Sequence, residues 1–493
     1  MIKPFLFRLG ICLVLALTVG LRLYHVSAPI ADWHSFRQVD TAGVAVGFLR
    51  FGFDILHPRY EDLSNIQSGK DNPMGYRMVE LPMYQYVAAT FAKTFSQLPV
   101  EVWLRLVNIA ASAGSALVLV LLVARFANPL TGLLTGVVYA ILPYGMFYGR
   151  AILPDTFAVF WAVLGVWFVS LYNEKRSWIW LLLGAFASAV ALLAKPTAAF
   201  LLLPVVYLFL RSPKKNLAWF WQLMLYGVVT VLPLYFWRKW ILQFPEGIPV
   251  SEWLFNSNHI RFKGAWFHWI FAERVGNLIL GYWGLILLGL GLLSKSEKKE
   301  GAIFRWFLLG SLSYVTIFAT GNVQHDYYQI IIIPTISMYV AKGLYFLFTN
   351  TVFSRVASYS VATICMLAML GFSWFTIRTF YWINRPEIIT AGKMADQILP
   401  KDAKVIAPYN GDTTFLYYTK RQGWPLGFDI EDKIKKGATA YVTVSPTDND
   451  WETKTLAEQY TVLVRNDTYA IIDLTKPVST RPDSSLQGGS KKP

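Results

Sequence analysis

FLFRLGICLVLALTVGLRLYHVSAPIADWHSFRQVD, Phe5–Asp40, joins a run of about twenty apolar residues to a short segment crowded with ionisable side chains. The run Phe5–Tyr24 is long enough to cross a bilayer and has no small-residue cleavage site after its apolar core, so it is expected to stay as an anchor. The same alternation continues down the chain. Apolar runs near 5–24, 103–124, 130–148, 151–172, 178–194, 197–210, 217–237, 275–293, 303–319, 329–348 and 357–378 give about eleven expected spans. Lys195-Pro196 must break the run from Trp178 to Leu210 into two short helices.

Composition agrees with a bilayer environment. The chain is 55% hydrophobic and 15% charged with a positive mean hydropathy, so much of its length cannot face water. A net charge of +15 would point to nucleic acid in a soluble protein. Here, however, the basic residues sit where apolar runs end: Lys3 and Arg8, Arg125, Lys175 and Arg176, Arg211 with Lys214 and Lys215, and Lys295 with Lys298 and Lys299. They occupy alternate short loops, the positive-inside pattern, and no nucleic-acid partner is expected. An odd number of spans then places the N-terminus in the cytoplasm and the C-terminus outside. Cys12 and Cys365 lie within apolar runs and build neither a disulfide framework nor a zinc site.

Three hydrophilic stretches share the outer side: 28–102, 238–274 and the tail from Asn384. In the first, Phe36, Val39, Val46, Leu49 and Phe53 recur at helical spacing with Arg37, Asp40 and Arg50 between them, which predicts an amphipathic interfacial helix. A second is expected from Pro82. In the tail, β-prone runs (Lys404–Ala407, Ala440–Val444, Tyr460–Val464, Tyr469–Asp473) alternate with polar pieces, so 384–476 reads as a small α/β domain. Residues 477–493, rich in Ser, Gly, Pro and Lys, read as a disordered tail. Residues 1–383 form the membrane domain.

Reactive side chains cluster in the outer segments. DWHSFRQVD (Asp32–Asp40) is the densest cluster. A carboxylate at the membrane surface among apolar residues is desolvated, which raises its proton affinity toward that of a general base, and Asp32 fits this role. Asp40 is a second acid in the segment. An ordinary helix start favoured by the helix dipole accounts for the same residues. His34 is a candidate ligand for a divalent metal, although with Asp32 it makes only two ligands. GRAILPD (Gly149–Asp155) brackets an X-Pro turn between Arg150 and Asp155, and VELPMY carries Glu80 before Pro82. Lys195 sits between apolar runs, where an ammonium costs roughly 2.5–3.5 kcal/mol if it is mid-membrane, so it should face a cavity or an anion such as a lipid phosphate. Arg261 and Arg274 lie in the second outer segment, and GNVQHDYYQ (Gly321–Gln329) adds His325, Tyr327 and Tyr328. Their donors could stabilise a phosphate leaving group; interfacial anchoring explains them equally. Asp448-Asn449-Asp450 imitates an acidic metal-binding triplet but reads as a turn.

In this order the clusters carry a resemblance. The chain is similar to the GT-C glycosyltransferases, in particular the glycosyltransferase family 39-like superfamily of protein mannosyltransferases and lipid A aminoarabinose transferases. The match rests on Asp32, on Glu80 with Pro82, on GRAILPD, on Lys195, and on Tyr327 and Tyr328 before Pro334. The resemblance implies a polytopic α-helical membrane fold and inverting transfer of a sugar from a polyprenyl-phosphate donor to a lipid, glycan or protein hydroxyl, outside a bacterial inner membrane. Asp32 would act as base, with Asp155, Asp40 and Glu80 beside it; Arg37, Arg150, Lys195, Arg261, Arg274, His325 and Tyr328 would hold the donor phosphate. Where aminoarabinose transferases carry a Lys beside the helix prolines, this chain has Leu81, so the likeness does not extend to that sugar. A transporter or lipid flippase is the alternative from another class. It predicts charges at mid-membrane and internal repeats, whereas the ionisable residues here concentrate in outer loops. An inactive scaffold is the second alternative.

Overall fold

The computed structural model describes residues 3–211, 216–295, 301–447 and 449–478. They form two compact units. One comprises Met1–Arg59, Gln67–Gly69 and Tyr76–Ile383; the other comprises Tyr60–Ile66, Lys70–Gly75 and Asn384–Pro493. The first hydrophilic stretch, 28–102, is thus divided between them. Lys214, Lys215, Lys298, Lys299, Asp448 and most of the expected tail, 479–493, lie outside the described residues.

The first unit is helical. By length and composition six of its described helices can cross a membrane, among them α1 (Pro4–Arg22), and a bent pair, Gly264–Ile279 with Gly284–Leu293, would make seven. After α1 come α2 (Ser35–Phe51), α3 (Met83–Thr94), α4 (Val100–Phe126), α5 (Pro129–Ile141), α6 (Pro143–Tyr148), α7 (Pro154–Lys175) and α8 (Trp178–Ala194). Four apolar stretches are shorter: α5, α8, Pro196–Leu210 and Ile303–Ile317. The expected count of about eleven therefore depends on crossings shorter than 18 residues.

Prolines decide where the helices break. The run 130–148 is interrupted before Pro143, which has no N–H to continue the ladder. The break frees carbonyls at the end of α5, and buried Arg22 caps them, donating to the oxygens of Tyr139 and Ala140 at 3.1 Å each. Lys195-Pro196 breaks the run after α8, as expected; a tight turn, Pro196–Leu202, leads into Leu203–Leu210. The expected straight span 275–293 is instead bent by 115°. Gly281 and Tyr282 are both left-handed there, with φ of 48° and 56°, which no continuous right-handed helix permits.

The expected amphipathic helix is present as α2, but residues 38–45 are all buried. Its polar residues can be enclosed because Asp40 pairs with Arg77 at 2.8 Å. The helix expected from Pro82 begins at Met83, with Pro82 as its cap residue.

In the second unit β1 (Lys404–Ile406), β2 (Gln422–Trp424), β3 (Ala440–Thr443), β4 (Tyr460–Arg465) and β5 (Ala470–Pro477) form one mixed sheet ordered β2-β1-β3-β5-β4. β1 is parallel to β2 and β3; β5 is antiparallel to β3 and β4. Four strands fall on the β-prone runs, whereas β2, only Gln-Gly-Trp, has no apolar alternation to announce it. The loop segment Tyr60–Ile66 pairs beside β2, exchanging Leu63 N–H to Gly423 O (2.8 Å) and Gly423 N–H to Glu61 O (2.9 Å), and so covers an edge strand. Asp450 caps the helix Trp451–Gln459, donated to by the Thr453 N–H at 3.2 Å.

Gly291 and Gly343 set the approach of Gly284–Leu293 to Ile333–Thr349. A Cβ on Gly291 would lie 1.8 Å from the Tyr339 carbonyl oxygen, and one on Gly343 would lie 2.0 Å from that of Leu287. Backbone opposes backbone here, so no rotamer change relieves the clash. Gly291→Ala should therefore destabilise the purified protein by about 1–3 kcal/mol, read as a lowered Tm in detergent.

Candidate active site

Four helix ends bring together Arg37 in the first turn of α2, Glu80 ahead of α3, Asp155 in the first turn of α7 and Lys195 after α8. Pro82, Pro154 and Pro196 place three of the four, because each proline starts or ends a helix beside an ionisable residue. Glu80 Oε1 lies 2.9 Å from Arg37 Nη2 and 3.3 Å from Lys195 Nζ. Lys195 Nζ also lies 3.4 Å from Asp155 Oδ2 and 5.8 Å from the centre of the Tyr328 ring. Burial by itself would raise the Glu80 pKa, but Arg37 and then Lys195 overcome it and hold the carboxyl down at about 2. Burial pushes the Arg37 pKa down, but Glu80, Tyr327, Asp40 and Asp155 together raise it above its ordinary value, so it stays charged. Asp155 is fully buried, and neither of its oxygens accepts a hydrogen bond from the described residues.

The other acids are engaged. Asp32 Oδ2 pairs with Arg150 Nη2 at 2.9 Å and Oδ1 accepts from Gln38 Nε2 at 2.7 Å, both carboxylate and guanidinium being buried. Gln38 Oε1 in turn accepts the Ile152 N–H at 3.1 Å, so one amide links Asp32 to the turn three residues before Asp155. Arg150 also lies over the Phe147 and Tyr381 rings. Asp40 is held by Arg77. Arg261 is spent on the carbonyls of Ile317 (2.9 Å) and Phe255 (3.4 Å), tying its segment to the end of the helix Ile303–Ile317. Arg274 donates to Val323 O at 2.6 Å and approaches Asp326 Oδ2 at 4.0 Å.

Asp326 is a residue the sequence reading passed over. It accepts from His34 Nε2 (2.5 Å) and Tyr148 Oη (2.6 Å) on Oδ1, and from Trp33 Nε1 on Oδ2 (3.0 Å). The available signal was an acid at the start of an apolar run between a histidine and two tyrosines, since an ionisable group at a membrane edge is costly without a purpose. His34 has a left-handed backbone, φ 55°, and Tyr327 packs edge-on to its ring with centres 5.1 Å apart. Tyr327 stacks on Tyr328 at 4.7 Å, which joins this group to Lys195. Burial, then His34, lowers the His325 pKa to about 4 against the pull of Asp326, so at neutral pH its ring offers an N–H and no charge. Among the described residues no three His, Cys, Asp or Glu side chains are arranged to hold a metal, and His34 is committed to Asp326.

The Glu80 pKa gives a signed prediction. An unfolded glutamate takes up its proton near 4.5 and the folded one near 2, so the stabilisation is full above 4.5 and is lost as pH falls from there through 2. The Tm difference between wild type and Glu80→Gln should accordingly be largest near neutrality and shrink over that acid range. Arg37→Met, which leaves Glu80 with Lys195 alone, should destabilise the protein by about 3 kcal/mol.

Residues 73–237 match the model of the dolichyl-phosphate-mannose-protein mannosyltransferase family. That segment contains Glu80, Arg150, Asp155 and Lys195. Comparison with curated protein sequences finds no match. Among solved structures, apo ArnT from Cupriavidus metallidurans superposes with a TM-score of 0.63 at 13% identity, covering 94% of this chain and 97% of that one. The same protein bound to undecaprenyl phosphate gives 0.57, with the same identity and coverage. The archaeal oligosaccharyltransferase AglB from Archaeoglobus fulgidus, in complex with an inhibitory peptide and a dolichol-phosphate, gives 0.54 at 10% identity, covering 98% of this chain and 75% of that one. The structural likeness establishes a multi-pass membrane fold of the GT-C kind, and the match over residues 73–237, about a third of the chain, is to a glycosyltransferase family.

Proposed function

We propose that the protein transfers a sugar, with inversion, from a polyprenyl-phosphate donor to an acceptor hydroxyl on the extracytoplasmic side of the membrane. One observation carries the donor assignment: an apolar cavity is lined by residues next in sequence to Glu80 and close to Lys195, and Glu80 is the carboxylate that Lys195 shares with Arg37. The cavity has a volume of about 500 Å³, and Leu81, Leu193, Phe236, Trp237 and Trp240 line it. Leu81 follows Glu80, Leu193 precedes Lys195 by two residues, and the Leu81 N–H donates to Leu193 O at 3.0 Å. An apolar chain in the cavity would bring its phosphate to Lys195. Supporting this reading, ArnT, which shares the fold, binds undecaprenyl phosphate in its crystal structure, and AglB is seen in complex with a dolichol-phosphate.

The chemistry follows from charge. A donor phosphodiester carries one negative charge, and as the glycosidic bond breaks the departing phosphate gains a second. Arg37 and Lys195 therefore bind the transition state more tightly than the donor, which is the condition for acceleration. Glu80 and Asp155 position the two cations and neutralise them while no phosphate is present. The Asp32–Arg150 pair, with Gln38, braces the turn that carries Asp155.

Purified protein in lipid nanodiscs should transfer label from at least one member of a panel of radiolabelled polyprenyl-phosphate sugars. Lys195→Met should weaken undecaprenyl-phosphate binding by about 10- to 100-fold, the worth of one charge-assisted hydrogen bond, and should lower turnover with it. Facilitated movement of the lipid across the bilayer without any glycosyl transfer would favour the flippase reading and overturn this one. Reporter fusions after Lys295 and after Arg378 should report opposite sides of the membrane, the second extracytoplasmic; a cytoplasmic signal after Arg378 would put the site on the wrong face.

A further inference from the structure

We infer that the general base is His34, oriented by Asp326, and not one of the carboxylates beside the donor phosphate. The inference rests on the donor assignment proposed above. Inverting displacement requires the nucleophile to enter opposite the leaving group, so the base must lie across the sugar from the cations that receive the phosphate. Asp155 fails this test, being 3.4 Å from Lys195 itself. Glu80 lies between Lys195 and Arg37. Both Asp32 oxygens are occupied by Arg150 and Gln38, and Asp40 is held by Arg77.

His34 meets the requirement. Stacked Tyr327 and Tyr328 link it to Lys195, with Tyr328 beside the ammonium and Tyr327 edge-on to the imidazole. The imidazole and the Lys195 ammonium are thus at opposite ends of a stacked ring pair, whose faces and hydroxyls suit a sugar, and Arg37 follows His34 in the first turn of α2. Nε2 donates to Asp326, which fixes the tautomer and leaves the Nδ1 lone pair, and Nδ1 has no hydrogen-bond partner among the described residues. Trp33, Tyr148 and the nearby Arg274 hold Asp326 in turn. The acid thus orients the base while a further layer orients the acid, the general logic of an activated histidine. A left-handed His34 is a strained backbone maintained at this one point of the outer loop.

In the step itself, the acceptor hydroxyl oxygen forms a bond to the anomeric carbon while its proton passes to His34 Nδ1. The bond from the anomeric carbon to the phosphate oxygen breaks, and its electron pair leaves on the polyprenyl phosphate beside Arg37 and Lys195. The imidazolium formed is stabilised by Asp326 and later releases its proton to water. No other reactant is needed.

Single-turnover transfer, with the sugar that the panel identifies, tests the assignment across pH. His34 meets Asp326, His325 and Tyr327, precedes Arg37 by one helical turn, and through Asp326 is linked to Tyr148 and Arg274; His325 remains neutral down to about pH 4. His34→Ala should slow the chemical step by about 10²- to 10⁴-fold and abolish the acid limb of the profile, with undecaprenyl-phosphate binding within about twofold of wild type. Added imidazole should restore part of the rate. His34→Gln, which preserves most of the packing, should show the same loss. Asp326→Asn, at a positioning residue, should shift the acid limb to lower pH, because the imidazolium loses its counter-charge. His34→Gln retaining turnover within about threefold, or His34→Ala keeping its acid limb and gaining nothing from imidazole, overturns the proposal. Wild-type protein that transfers nothing from the panel, or Lys195→Met that binds the lipid phosphate normally, overturns the donor assignment and this inference with it.

Discussion

Every charge and every freed backbone carbonyl in the membrane unit must find its partner within the protein, because the surrounding hydrocarbon supplies none. The helices are broken repeatedly, at Pro143, Pro154, Pro196 and around Gly281, and each break leaves polar groups that would be costly in lipid. The structure meets this constraint with buried arginines. Arg22 caps the end of α5, and Arg105 reaches the Val26 carbonyl at 2.8 Å. Asn108 performs the same task for the turn before α7, donating to Ala151 O at 2.6 Å and Leu153 O at 2.8 Å.

The same constraint creates the site. A helix that stops short of the bilayer surface leaves a polar recess, and residues placed at such ends are held close in a medium that screens little. The acids near α2 and α7 consequently divide into kinds. Asp32 and Asp40 each have a guanidinium partner and act as braces, Glu80 is shared between two cations, and Asp155 faces Lys195 with its hydrogen-bonding capacity unused. Among the described residues no lysine or arginine lies within 3.5 Å of Asp326, which accepts from His34, Tyr148 and Trp33 instead. Lys195 beside Glu80 and Asp155, and an imidazole on Asp326, give these acids chemically different surroundings.

Much of this could be read along the chain because its causes are local. Hydrophobic length marks the spans, a proline without an N–H marks the breaks, and β-branched runs mark four of the five strands. Glu80, Asp155 and Lys195 were legible for the same reason, each standing beside a proline at a helix end. Short β2 was not, since three residues carry no periodicity and its place depends on β1 and the loop beside it. Asp326 and Gln38 also escaped, because nothing within a few residues of either states what it will bind.

By itself, then, the sequence determined a polytopic membrane protein with polar helix ends gathered in its hydrophilic segments and a small α/β unit after residue 383, since hydropathy, proline geometry and β-propensity act over a few residues. Tertiary structure alone decided which ionisable groups meet. Asp32 and Arg150 are 118 positions apart and His34 and Asp326 are 292 apart, so no local rule relates them. Whether a carboxylate is a brace, a counter-ion or the orienting partner of a histidine depends on which donors lie within about 3 Å of its oxygens, and only the packing of distant helices supplies those donors.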